Sequence, residues 1–156
     1  MENSLVRETL TRRRRNAKTK GLSTGYEGEL MEKRIYYYDT DAGGVVYYGN
    51  YLKYLEESRT EFLEQKGLSV TQLHRAGFFY AVRKCSVTYR SPARYGDTIV
   101  CEARLKEITP ARLIFEQTIH DKASGRLLVE AQVDLASLTK DFKPQAIPEA
   151  IKAKLR

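Results

Sequence analysis

Residues 48–67 read YGNYLKYLEESRTEFLEQKG. Large or buried-type residues recur at Tyr48, Tyr51, Leu52, Leu55, Phe62 and Leu63, and Ser58 and Arg59 occupy intermediate positions of the same stripe. This i, i+3, i+4, i+7 spacing predicts a helix of about five turns with one face turned inward. Gly67 follows Lys66, so the far end offers a left-handed cap and a cation suited to the helix dipole. A shorter helix is expected over Val70–Ala76, started by Ser69 and stopped by Gly77.

Beyond that point the period drops from about 3.6 to 2. Ala81, Cys85, Val87 and Tyr89 share one face against Val82, Lys84, Ser86, Thr88 and Arg90, before Pro92 interrupts. Ile99, Cys101, Ala103 and Leu105 form a second set, Leu113, Phe115, Gln117 and Ile119 a third, and Leu127, Val129, Ala131, Val133 and Leu135 a fourth. Short connections between four such strands predict an antiparallel meander. The long helix must bury its stripe against the apolar face of that sheet, so the sheet is expected to curl around it in an α+β arrangement, with Ser58 allowing close approach. Upstream, Lys33–Tyr38 reads as a first strand, and the tail after Pro144 as a short terminal helix.

A chain of 156 residues with 42% hydrophobic content can bury one sizeable core. It contains no run of 18 apolar residues and no apolar leader, so membrane insertion is not expected and a cytoplasmic location is. The two cysteines, Cys85 and Cys101, read as reduced core residues. Net charge is +7, yet residues 1–25 hold seven Lys/Arg against two acids, so five of those seven charges sit there. Few large apolar residues and no sustained period mark residues 1–30 as a flexible basic extension, with the compact domain expected over 31–156, from Met31.

Between the first strand and the helix lies DTDAGGVV, residues 39–46. As a calcium loop counted from Asp39 it would need an acid at its twelfth position, which is Asn50. His74 and His120 are the only histidines, neither beside a candidate nucleophile, and GxGxxG and GxxxxGK[ST] are absent, which leaves triad catalysis and nucleotide hydrolysis without support. No cofactor or metal is expected. An acid seven residues before Tyr48, followed by two glycines, can return a carboxylate to the amino end of the helix. There Asp41 either caps the chain or serves chemistry, with backbone N–H groups polarising a carbonyl while the carboxylate attacks it or activates water.

The run DTDAGGVVYYGNYLKYLEESRTEFL (39–63), with SPARYGD (91–97) and DFKPQAIP (141–148), resembles the 4-hydroxybenzoyl-CoA thioesterase-like group of hotdog-fold proteins, and within it the bacterial acyl-CoA thioesterases associated with the Tol-Pal system. The resemblance runs from about Lys33 to Pro148. It implies a long helix wrapped by a curved antiparallel sheet, subunits paired into dimers and often tetramers, and active sites at the subunit interface. It also implies that Asp41 is the catalytic carboxylate, that Tyr48 at the helix start contributes its N–H to the thioester oxygen, and that Gly49 and Asn50 help bind substrate. Many Tol-Pal-type members carry His at the Tyr48 position, whereas the 4-hydroxybenzoyl enzymes carry Tyr. Coenzyme A phosphates imply basic side chains near the surface, with Arg112 the first candidate and Arg90 and Lys84 behind it.

Three function classes fit these residues. The first is hydrolysis of short-chain aliphatic or aromatic acyl-CoA. The second is binding of acyl-CoA or an acyl carrier protein with weak or no turnover. The third is nucleic-acid binding through the Arg-rich extension, which is not expected of the folded body.

Overall fold

The computed structural model describes residues 29–156. The expected basic extension lies almost wholly outside the described residues. Strand β1 spans Glu29–Arg34, and a 3-10 turn covers Tyr37–Asp39. The expected strand over Lys33–Tyr38 is therefore corrected: pairing ends at Arg34 because the Asp39 carboxylate accepts the Tyr36 N–H at 2.8 Å and bends the chain out of the ladder.

Helix α1 runs Asn50–Gln65, about 24 Å long at the usual rise per residue. Its buried face is Tyr51, Tyr54, Leu55, Ser58, Arg59, Phe62 and Leu63. Tyr48 precedes the helix and Leu52 is half exposed, so these two leave the expected stripe and Tyr54 joins it. Gly67 takes a positive φ of 71° at the end of the helix, where a residue with a Cβ is disfavoured. Helix α2 spans Val70–Arg75, with Ser69 Oγ accepting the Gln72 N–H, and α3 spans Glu149–Leu155.

Strands β2 (Phe79–Tyr89), β3 (Thr98–Ile108), β4 (Arg112–Asp121) and β5 (Leu127–Leu138) join β1 in one antiparallel sheet of order β1-β3-β4-β5-β2. The expected four-strand meander is thus only β3-β4-β5. β2 pairs with β5 instead of β3, because the segment between Tyr89 and Thr98 crosses the end of the sheet rather than turning tightly. In that crossing Ala93 is wholly buried, its N–H reaching Tyr51 Oη at 3.0 Å and its carbonyl receiving the Val46 N–H at 2.9 Å.

Strand β4 alternates burial residue by residue, sending Leu113, Phe115, Gln117 and Ile119 inward. The core divides in two along α1. Tyr51, Tyr54 and Leu55 pack with Ile35, Ile99, Cys101, Ile119 and Val129. Phe62 and Leu63 pack with Leu113, Phe115, Val133, Leu135 and the terminal helix. Ser58, Arg59 and Gln117 sit buried between the halves. β2 forms one rim of the sheet, and Cys85 on it is exposed rather than buried, which corrects its expected core role; Cys101 is buried. Among the described residues no helix is long and apolar enough to cross a membrane.

Candidate active site

The loop between the 3-10 turn and α1 closes on a hydrogen-bonded stem. Thr40 and Val46 form an isolated antiparallel bridge, Tyr47 N–H donates to the Asp39 carbonyl at 3.0 Å, and Asp41 N–H donates to the Val45 carbonyl at 2.9 Å. At the tip Asp41 Oδ1 accepts the Gly43 N–H at 2.8 Å, and Gly44 takes a φ of 74° that a larger residue would resist. Asp41 is exposed, so this carboxylate is held by a turn yet open to a ligand on the surface of the single subunit. A Cβ at position 43 would stand 3.1 Å from Asp41 Oδ1, so glycine there leaves the carboxylate room.

The other arm of the loop leads straight into α1. Gly49 occupies the cap position, without side-chain capping, and α1 begins two residues after the expected start at Tyr48. Among the described residues neither the Tyr48 nor the Gly49 amide donates to a backbone carbonyl in this turn. Both belong to the end of a helix that carries partial positive charge. Asn50 Nδ2 donates to the Asp39 carbonyl at 2.9 Å, so Asn50 ties the helix to the loop stem.

Around this turn sits a layer of tyrosines. The Tyr48 ring is exposed and lies 4.9 Å from that of Tyr47 and 6.2 Å from that of Tyr89, whose hydroxyl donates to the Tyr48 carbonyl at 3.1 Å. Tyr48, Tyr51, Tyr89 and Arg90, with Val46 and Pro92, line an open cavity of about 270 Å³. Burial pushes the hydroxyls of Tyr51 and Tyr89 above the ordinary tyrosine value, so both remain protonated at neutral pH. A second cavity of about 320 Å³, lined by Arg59, Leu63, Phe78 and Tyr80 among others, shares no lining residue with the first.

The profile of the thioesterase-like superfamily matches residues 36–155, from the 3-10 turn to the last helix. The chain belongs to that superfamily. It is similar to the acyl-CoA thioester hydrolase YbgC of Escherichia coli O157:H7, at 36% identity over 124 residues covering 79% of this chain and 92% of that one. It is similar also to ATL3, a chloroplastic acyl-acyl carrier protein thioesterase of Arabidopsis thaliana, at 31% identity over 135 residues, 86% of this chain and 70% of that one. A crystal structure of a 4-hydroxybenzoyl-CoA thioesterase variant with 4-hydroxybenzoyl-CoA matches with a TM-score of 0.78, covering 84% of this chain and all of that one. At 18% identity this last likeness speaks for the fold, which is the hotdog fold. The chain is a hotdog thioesterase, and its resemblance to the 4-hydroxybenzoyl-CoA thioesterase-like group is borne out.

Within this thioesterase the residues proposed from sequence separate into two places. Asp41, Tyr48, Gly49 and Asn50 belong to one loop and helix start. Arg90 reaches the same neighbourhood through the cavity it shares with Tyr48, although Arg90 Nε also donates to Glu130 at 2.9 Å. Arg112 does not join them. Its Nη1 donates to Asp134 Oδ2 at 2.9 Å, as does Arg83 Nη1, and Lys84 lies opposite Asp134 in the strand register. Arg112 precedes the inward-facing Leu113 and therefore falls on the outer face of the sheet. No three His, Cys, Asp or Glu side chains among the described residues gather as a metal set.

Two buried polar groupings were not singled out from sequence. Asp39 is 4% exposed and accepts the Tyr54 hydroxyl at 2.8 Å; Arg59 donates to Gln117 at 2.7 Å. Helical spacing placed Arg59 on the inward stripe, and strand alternation placed Gln117 inward, so the second grouping had a signal in the pattern. The first had none, since fifteen residues separate its members.

Proposed function

We propose that this thioesterase hydrolyses acyl-CoA thioesters of short-chain aliphatic or aromatic acids, with Asp41 as the reacting carboxylate. One observation carries the reading: the exposed Asp41 carboxylate and the amides of Tyr48 and Gly49, which have no hydrogen-bond acceptor among the described residues, rise from the two arms of one closed stem. A thioester carbonyl seated there has its oxygen polarised by N–H groups at the helix end and its carbon presented to a carboxylate. Asp41 then either removes a proton from water, whose oxygen attacks the carbon, or attacks directly to form a mixed anhydride that water opens. In both courses the C–S bond breaks, the thiolate takes up a proton, and free coenzyme A and a carboxylate are released.

The tyrosine-lined cavity of about 270 Å³ suits a short or single-ring acyl group. Arg90 at its wall is the cation best placed for a phosphate of coenzyme A, with Gly49 and Asn50 alongside as substrate contacts; Arg112 and Lys84 belong to the outer sheet face and take no part in this reading. The 31% identity with a carrier-protein thioesterase favours acyl carrier protein as a second donor of the same thioester. The free rim of β2 favours pairing with a second copy, because an unpaired strand edge presents open N–H and C=O groups.

The test is thiol release from a panel of acyl-CoA thioesters. Asp41→Asn should cut kcat by about a hundredfold or more, the scale expected for removing a reacting carboxylate, while leaving the fold intact. Undiminished turnover by that variant removes Asp41 from the mechanism, and tight product-free binding by the wild type favours the binding-protein reading instead.

A further inference from the structure

Asp39, the first acid of DTD, has a different position from Asp41. It is buried, and all three of its oxygens are engaged. Oδ2 accepts the Tyr36 N–H at 2.8 Å, Oδ1 accepts the Tyr54 hydroxyl at 2.8 Å, and the main-chain oxygen accepts both Tyr47 N–H at 3.0 Å and Asn50 Nδ2 at 2.9 Å. Three elements meet on this one residue: the 3-10 turn, the returning arm of the loop, and α1 through both its first residue and its second turn.

The consequence is geometric. Asp41 lies two residues beyond Asp39 on the outgoing arm, and Tyr48 follows Tyr47 on the returning arm. Main-chain bonds from Asp39 hold the arms together, and its carboxylate bolts that joint to the helix through Tyr54. Burial, reinforced by the Asp39 carboxylate, holds the Tyr54 hydroxyl above the ordinary tyrosine value, so it remains a donor at neutral pH. Arg34 and Lys33 lie at the neighbouring end of β1, but the Lys33 ammonium pairs with Glu57 at 3.1 Å and lies over the Tyr54 ring, 5.0 Å from its centroid. Among the described residues Asp39 therefore has hydrogen bonds, not a cation, as its partners.

We propose that Asp39 is a positioning residue, which sets the distance between the Asp41 carboxylate and the amides of Tyr48 and Gly49 by clamping the loop stem to α1 through Tyr54. This rests on the assignment of Asp41 and those amides above. It separates the two acids of DTD by role, one reacting and one holding. It also predicts an unusual tolerance: in Asp39→Asn the amide oxygen can accept from Tyr36 while the amide N–H donates to Tyr54 Oη, because a hydroxyl both donates and accepts.

The experiment compares Asp39→Asn, Asp39→Ala and Tyr54→Phe in the full chain, reading kcat and KM on the best acyl-CoA and hydrogen exchange at the Asp41, Gly44 and Tyr47 amides. Asp39→Asn should keep kcat within about threefold of wild type, whereas Asp39→Ala should lose about tenfold or more with KM nearly unchanged, as misplacement of reacting groups does. Tyr54→Phe should fall between them. In Asp39→Ala the three amides should exchange faster. An Asp39→Asn loss as deep as that of Asp41→Asn overturns the proposal by making Asp39 a reacting group, and unchanged kcat and exchange in Asp39→Ala overturns it by showing that nothing was held. Should Asp39→Ala fail to fold, unchanged kcat and exchange in Tyr54→Phe serve the same end. A wild type inactive on every thioester defeats the assignment of Asp41, while exchange still decides whether Asp39 clamps the loop.

Discussion

Arg59 Nη1 donates to Gln117 Oε1 across 2.7 Å between the two halves of the core, so a guanidinium 7% exposed is partnered by a neutral amide. Gln117 in turn donates from Nε2 to the Leu55 carbonyl at 2.9 Å and to Ser58 Oγ at 2.7 Å. Strand β4 and helix α1 are thereby locked in one register, since a slip of either would strand a buried donor. Burial lowers the affinity of the guanidinium for its proton, but an arginine retains its charge at neutral pH.

Gln117→Leu should therefore destabilise the fold by about 3 kcal/mol, because it leaves the buried Arg59 charge without its amide partner and takes one donor each from Ser58 Oγ and the Leu55 carbonyl. Arg59→Met should be milder, about 1 kcal/mol, since it removes the charge and fills much of the same space. Urea denaturation of both variants checks the order. Equal costs would mean that Gln117 is not what satisfies Arg59.

Gly43 offers a test of the carboxylate's freedom. An added Cβ meets Asp41 Oδ1 at 3.1 Å, and the cheapest relief is a small displacement of the exposed carboxylate. Gly43→Ala should lower kcat several-fold, about 1 kcal/mol in the barrier, with unchanged melting temperature. Gly44→Ala differs in kind. Its φ of 74° is costly for alanine, so stability should fall by about 1 kcal/mol, read as a lower melting temperature.

Much of this architecture was legible because it repeats locally. The stripe through Tyr51, Leu55, Ser58, Arg59, Phe62 and Leu63 has helical period, and the β4 set from Leu113 to Ile119 has strand period. Asp41 and Tyr48 were marked by a motif within one short segment. What escaped depends on distant partners. No local pattern says that β2 will lie beside β5, since the choice is made by an irregular crossing that Tyr51 stabilises from the helix. Nor does local sequence reveal that Asp39 meets Tyr54. Arg112 is a different case, because its position beside the inward Leu113 already assigned it to the outer face, away from the loop.

Tyr48 tests whether backbone or ring does the work at the helix start. Its ring is 63% exposed and its carbonyl, not its hydroxyl, receives the bond from Tyr89. Tyr48→Phe preserves the amide and most ring contacts, so kcat should stay within about threefold of wild type. A hundredfold loss would assign the phenol itself to the chemistry.

The two thiols report on assembly. Burial pushes the Cys101 thiol up to about 12, and its side chain is wholly enclosed, so a thiol reagent at pH 8 should leave it untouched until the protein unfolds. Cys85 is exposed on β2, with burial raising its thiol above the ordinary value to a lesser degree, so it should react in a single subunit, though more slowly than a free thiol. If copies pair through the β2 rim, dimer formation covers the strand that carries Cys85. Its labelling rate should then rise on dilution, following the monomer fraction measured by sedimentation. Cys101 should show no such dependence. A Cys85 rate that is fast and independent of concentration, in a protein that sediments as a dimer, would place the subunit contact on another surface, and would leave the β2 edge to be protected by its twist and charged side chains alone.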